Sequence, residues 1–182
     1  PCDTGTWSGL VGSSSALNCY KCEQGFYSTA TGAASSATCN ACPSGKKSIV
    51  SGAINSDVCL PCDVGEKSGS GADQCTVCPH GRTAPIGSAV CSKCTTGRRQ
   101  VGNDINNYTC IDCLSGKIAA AEAFECTDCM AGLYQPNTGE GTCQPCDTGT
   151  WSDLVGSSSA LNCYKCEQGF YSTASGAASS AT

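Results

Sequence analysis

Nine Cys-x-x-Cys pairs, running from Cys19/Cys22 to Cys163/Cys166, constrain this chain more than any other feature. Each second cysteine can be taken as a module start, with Cys2 as the remnant of a tenth pair. The starts are then Cys2, Cys22, Cys42, Cys62, Cys78, Cys94, Cys113, Cys129, Cys146 and Cys166, at steps of 16 to 20 residues. Every start has a glycine three residues later: Gly5, Gly25, Gly45, Gly65, Gly81, Gly97, Gly116, Gly132, Gly149 and Gly169. A glycine fixed in that place implies positive φ or a close backbone approach, as in a tight turn. A modest β signal follows, as in Gly-Thr-Trp-Ser, and then a turn such as Val11-Gly12-Ser13-Ser14. Each module therefore reads as a short irregular β-hairpin.

Modules this small cannot each own a core. Leu, Ile, Val and Phe together number only 24 of 182 residues, while Cys alone numbers 19. Covalent links must replace the missing apolar burial. The expected fold class is small disulfide-rich modules: irregular short β-hairpins stacked into an elongated rod or solenoid, with little or no helix. At roughly 10 Å per stacked hairpin, eight modules extend on the order of 100 Å. The Ala-rich stretch Ile118–Phe124 is the best helix candidate, and it is too short to be stable alone.

A longer period overlies the short one. Residues 1–38 and 145–182 differ only at Gly9 against Asp153 and Thr31 against Ser175. The expected organisation is one full super-repeat of eight modules at 1–144, followed by the first two modules of the next at 145–182. Both ends cut through a module, so the chain reads as a window on a longer array. No signal peptide is visible.

Two chemistries fit the cysteines. In a disulfide ladder, each second cysteine bonds the first cysteine of the next pair. The bridges are then Cys2–Cys19, Cys22–Cys39, Cys42–Cys59, Cys62–Cys75, Cys78–Cys91, Cys94–Cys110, Cys113–Cys126, Cys129–Cys143 and Cys146–Cys163. Cys166 is left unpaired, because the position matching Cys39 falls just past Thr182. Overlapping one-to-three pairings stay open, since spacing does not prove connectivity. The alternative is a zinc module with four cysteine ligands, for which the pair spacing is respectable. A single His, an acidic chain and an unbroken spacing with no pair-of-pairs boundary count against it. A redox site is poorer still, because such a motif sits once per fold at a helix start.

Modules such as CNACPSGKKSIVSGAINSDVC (39–59) and CTDCMAGLYQPNTGEGTC (126–143) resemble the C-x-x-C-P-x-G-x-Y-S repeats of ephrin-receptor-like and furin-like (growth-factor-receptor cysteine-rich) domains. The resemblance covers essentially the whole chain. The motif's Pro stands here only at Pro43 and Pro79, and its Tyr only at Tyr27, Tyr134 and Tyr171. The long tandem array, low charge and Ser/Ala/Thr-rich spacers are most similar to immobilisation antigens and related cysteine-rich surface proteins of ciliates and other protists. The resemblance implies a secreted or cell-surface, non-catalytic array.

Several other residues have a plain role beside a functional one. The rings of Trp7 and Trp151, and of Tyr27 and Tyr171, could take a sugar or a partner, but covering a neighbouring disulfide or glycine turn is the simpler role. His80 reads as a solvated turn residue. Asn107-Tyr108-Thr109 is the one N-linked glycosylation sequon, and Ser13, Ser14, Ser15, Ser35 and Ser36 are candidates for O-linked sugars. Asp57, Asp73 and Asp104 form no close acid pair, and no phosphate loop, EF-hand or Ser/His/Asp arrangement is present. No cofactor is expected.

The net charge of −5, with basic residues thinly spread, gives no surface for nucleic acid, and no apolar run reaches the length of a membrane span. The expected function is an extracellular structural or surface-coat protein: a glycosylated repeat array forming a rod or fibril, with self-association or neighbouring repeats as partners. The alternative is an adhesion or receptor ectodomain whose ligand site lies in the divergent modules from Cys62 to Cys143.

Overall fold

The computed structural model describes residues 1–13, 15–102 and 109–180. Among them, eighteen short strands form nine two-stranded sheets, and the only helical segments are four single 3-10 turns. The hairpin pairs are Thr6–Trp7 with Tyr20–Lys21, Phe26–Tyr27 with Asn40–Ala41, Lys46–Lys47 with Leu60–Pro61, and Glu66–Lys67 with Thr76–Val77. They continue as Arg82–Thr83 with Ser92–Lys93, Arg98–Val101 with Thr109–Asp112, Lys117–Ile118 with Thr127–Asp128, Leu133–Tyr134 with Gln144–Pro145, and Thr150–Trp151 with Tyr164–Lys165. The variable x-x residues of each Cys-x-x-Cys thus lie in the return strand of the hairpin. They pair with the two residues that follow the motif glycine.

Module length has a local cause. The bridges Cys2–Cys19, Cys22–Cys39, Cys42–Cys59 and Cys146–Cys163 span 17 residues. These four modules carry the 3-10 turns Ala16–Asn18, Ser36–Thr38, Ser56–Val58 and Ala160–Asn162 just before the closing cysteine. Each turn is capped by a side-chain oxygen, from Ser15, Ser35, Asn55 or Ser159, that accepts from a backbone N–H two residues on. The modules closed over 13 or 14 residues have no such turn. The stretch Ile118–Phe124 is not helical: Lys117–Ile118 is a strand, Ala119 is buried, and Glu122 adopts a φ of 64° that ends any right-handed helix.

The chain divides into two units. The first contains Pro1–Cys78 and Ala84–Ser92; the second contains Pro79–Thr83 and the described residues from Lys93 on. In the first, the N–H groups of Gly5, Gly25, Gly45 and Gly65 donate to the carbonyls of Ser28, Ser48, Ser68 and Ala84, six residues after the next module's start. In the second, Gly97, Gly116, Gly132 and Gly149 donate to Ala119, Gln135, Ser152 and Ser172 in the same way. Gly81 departs from the pattern and donates to the side-chain Oε1 of Gln100 at 2.9 Å.

Packing also reaches one module further than nearest neighbours. Gly45 has a φ of 82°, and a Cβ on it would overlap the carbonyl oxygen of Gly87, two modules on. Gly5 meets Gly52 and Gly25 meets Gly71 in the same relation. In the second unit Gly97 meets Gly139, Gly116 meets Gly156, and Gly132 meets Gly176. Backbones this close leave room only for small groups. The core accordingly is built from the start half-cystines Cys2 to Cys146 and Cys59 together with Ala33, Ala53, Ala84, Ala119, Ala177 and a few buried polar side chains, most of them serines, while Val11, Leu17, Ile49 and Met130 stand exposed.

Candidate functional site

The disulfides come first because they position everything else. The structure bridges Cys2–Cys19, Cys22–Cys39, Cys42–Cys59, Cys62–Cys75, Cys78–Cys91, Cys94–Cys110, Cys113–Cys126, Cys129–Cys143 and Cys146–Cys163, with Cα–Cα distances of 5.5 to 5.8 Å. Each bridge closes one hairpin loop. The N–H of the next start cysteine then bonds the carbonyl of the motif glycine, as in Cys42 to Gly25 at 2.8 Å and Cys113 to Gly97 at 2.9 Å. Cys166 is the free thiol among the described residues. No group of three or more His, Cys, Asp or Glu that could hold a metal ion occurs among those residues. With their thiolates consumed in disulfides, the paired cysteines are not available as zinc ligands.

One recurrent position had a sequence signal that the Cys and Gly pattern overshadowed. Six residues after each start stand Ser8, Ser28, Ser48, Ser68, Ala84, Gln100, Ala119, Gln135, Ser152 and Ser172, a column of only small or amide side chains. From Ser28 on, all of these are buried. Ser68 Oγ donates to the Lys46 carbonyl at 2.8 Å, and Gln135 Nε2 to the Thr142 carbonyl at 2.7 Å, so a buried polar atom finds a partner in each case.

Two shallow grooves, one in each unit, lie between successive hairpins, and their lining follows one rule. It takes the second strand residue and both x-x residues of one hairpin, then the first and fourth residues after the next start. In the first unit the groove at Trp7, Tyr20, Lys21, Glu23 and Phe26, edged by Ser36, has a volume of about 600 Å³. In the second unit the equivalent positions are Arg99, Ile111, Asp112, Leu114 and Lys117, enclosing about 430 Å³. The first lining is aromatic; the second is charged and aliphatic. Trp7 and Tyr20 are cross-strand partners with ring centroids 5.4 Å apart, and their counterparts Trp151 and Tyr164 lie 5.8 Å apart.

Ion pairs decorate the second unit. Glu122 Oε1 takes Lys93 Nζ at 2.6 Å and Arg82 Nη2 at 2.9 Å. The Lys93 hydrogen bond, aided by attraction to Arg82 and opposed by partial loss of water, holds the Glu122 carboxyl below its usual range. Arg98 pairs with Asp112 at 2.8 Å, and Lys117 with Asp128 at 2.6 Å.

The remaining candidates are scattered. His80 is exposed in a turn, with its ring 6.1 Å from that of Phe124. Tyr27 bridges to Ala53, and Tyr171 is exposed. Ser13 Oγ accepts from Asn18 Nδ2 at 2.7 Å, Ser15 and Ser35 cap 3-10 turns, and Ser36 is exposed. Ser14, Asp104, Asn107 and Tyr108 lie outside the described residues. Asp57 and Asp73 stand exposed and apart.

Residues 116–163 match the family model described as tyrosine-protein kinase ephrin type A/B receptor-like. The match and the ladder together fit ephrin-receptor-like cysteine-rich repeats. Repeats of this type point to an extracellular or secreted, receptor-like or surface module. No curated protein matches the chain. Among the described residues, no helix is long and apolar enough to cross a membrane.

Proposed function

We propose that the chain is a stretch of an extracellular structural or surface-coat protein, a disulfide-laddered array organised as a super-repeat of eight modules at 1–144 with the next beginning at 145. What supports this reading is repetition at two scales. The same hairpin recurs with the same bridge, and 36 of 38 residues recur after 144. Units that repeat this closely suit one mechanical job done many times, and interlocked neighbours let an array extend by adding modules. Self-association into a fibril and glycans on Asn107 and on the Ser13–Ser15 and Ser35–Ser36 turns belong to this proposal.

Electron microscopy of the native particle tests it. Filaments or a coat lattice are expected, and a dispersed, compact monomer sinks the idea. A thiol count in denaturant without reductant should find a single reactive group, Cys166; many reactive thiols would revive the zinc arrangement.

The ephrin-receptor-like match favours a second reading, an adhesion or receptor ectodomain that binds a ligand along its modules. Its discriminating test is ligand capture by the full chain, abolished by substitutions between Cys62 and Cys143 and unaffected by those outside.

A further inference from the structure

The grooves at Trp7 and Arg99 use the same positions of their hairpins, but those positions are not furnished alike along the chain. The cross-strand pair equivalent to Trp7 with Tyr20 is Tyr27 with Asn40, Lys47 with Leu60, Lys67 with Thr76, Arg99 with Ile111, Ile118 with Thr127, and Tyr134 with Gln144. These hairpins form without an aromatic pair, because a disulfide and the glycine bonds already hold them. The Trp7–Tyr20 pair is therefore more than the hairpin needs. Phe26 from the next module adds a third ring, so Trp7, Tyr20 and Phe26 line one groove. The equivalent positions after residue 144 are again Trp151, Tyr164 and Phe170. Six of the chain's eleven aromatic residues are spent on these two junctions.

The polar groups of the groove narrow its ligand. Lys21 and Glu23 are exposed at the groove, and Ser36 adds a hydroxyl at its edge. A purely apolar ligand would strip water from both charges without replacing it. Nucleic acid is disfavoured by the net charge of −5. A pyranose ring satisfies both sides: its axial C–H face packs flat on an aromatic ring, while its equatorial hydroxyls can accept from an ammonium and donate to a carboxylate. Aromatic surfaces with a few convergent polar groups are how such sites gain orientation as well as contact.

We propose that the Trp7–Tyr20–Phe26 groove is a carbohydrate-binding site, repeated at Trp151–Tyr164–Phe170. Trp7 and Tyr20 form the stacking platform, Phe26 closes its end, and Lys21, Glu23 and Ser36 bond the hydroxyls. The ligand class is a neutral oligosaccharide of pyranose units. Two such sites on one chain would make binding to a dense glycan surface multivalent. The inference goes beyond the surface-array reading and holds under either of its two forms; if it fails, that reading is untouched.

The chain has two tryptophans, one in the groove and one at its repeat position, so intrinsic tryptophan fluorescence reports on the two proposed sites alone. The full chain is titrated with trimers of β-linked N-acetylglucosamine, β-linked glucose and α-linked mannose at up to millimolar concentration. A saturable change in emission is expected with at least one trimer. By sugar-detected NMR line broadening, Tyr20→Ala combined with Tyr164→Ala weakens that binding about tenfold. Tyr20→Phe with Tyr164→Phe keeps it, and so does Ile111→Ala in the equivalent groove of the second unit. An unchanged thiol count shows that each variant has folded. The proposal is overturned if no trimer gives a saturable change, if the Tyr→Ala variant binds like the parent, or if a proline-rich peptide gives the change and the sugars do not.

Discussion

Two loops of the second unit sit in the same place on successive hairpins and solve the same problem differently. The loop residue Gly139 lies over Asp112, and Glu122 lies over Lys93, each in close contact with a motif glycine two modules earlier, Gly97 and Gly81 respectively. Both are left-handed, at φ of 73° and 64°. Glycine meets that requirement without a side chain to accommodate. Glutamate meets it at a backbone cost, and its carboxylate gains two cations on the hairpin below, Lys93 of the x-x strand and Arg82 of the strand paired with it. The local residue on the strand decides which solution works. A carboxylate over Lys93 is attracted, whereas one over Asp112 would be repelled.

The comparison breaks most severely at the motif glycine beneath the loop. Gly97→Ala would force a Cβ onto the Gly139 carbonyl at a φ of 81°. A loss of about 4 kcal/mol in urea unfolding is expected from overlap and backbone strain combined. Gly69→Ala, with nothing within 4 Å and no left-handed backbone, should leave the midpoint unchanged. Equal midpoints for the two variants would remove the contact between alternate modules.

Removing a bridge comes next. Cys113→Ser with Cys126→Ser opens the loop that carries Glu122, closed over 13 residues, and about 3 kcal/mol should be lost. The same change at Cys129 and Cys143, which close the Gly139 loop over 14 residues, should cost the same within error. A much larger loss in one would show that the two loops are not equivalent.

A smaller effect separates the strands beneath. Gly139→Glu places a carboxylate over Asp112, and Gly52→Glu places one over Lys21. Both suffer the left-handed backbone, so their difference isolates the charge. The Gly52 variant should be the more stable by about 0.5 kcal/mol at low salt, and the gap should close as salt is added.

The smallest effect is the acid sensitivity of Glu122. Its folded-state pKa is lowered, so the stabilisation is present above its unfolded value near 4.5 and is lost as pH falls through the folded value. Glu122→Gln should be less stable than the parent at neutral pH and equal to it in acid. A gap that persists unchanged into acid would mean that the two ion pairs contribute nothing.

Much of the fold was legible. The Cys-x-x-Cys steps set the module size, the glycine column marked the turns, and the scarcity of large apolar residues ruled out one shared core. Glycine at position three after each start is left-handed throughout, and from Gly5 to Gly132 most of these glycines also make the close approach, whereas Gly149 and Gly169 meet nothing within 4 Å. The grooves were harder to see. Their lining draws on x-x residues as unlike as Tyr20-Lys21 and Ile111-Asp112, which present no pattern along the chain. Glu122 was hidden too, because at the loop position it breaks the glycine rule that would have flagged it. The buried column of Ser28, Ala84 and Gln135 was there to be found as small or amide residues six after each start.

By itself, the sequence determined that this chain must be stapled, repetitive and hairpin-built, because cysteine and glycine act through local geometry that spacing records. Only the tertiary structure decided that hairpins touch the module after next, and that Trp7 and Tyr20 meet Phe26 of a different module in one groove. Those contacts join residues by the stacking of backbones, and the pitch of that stack is set by the absence of Cβ atoms at the glycines. No residue type along the chain spells out that distance.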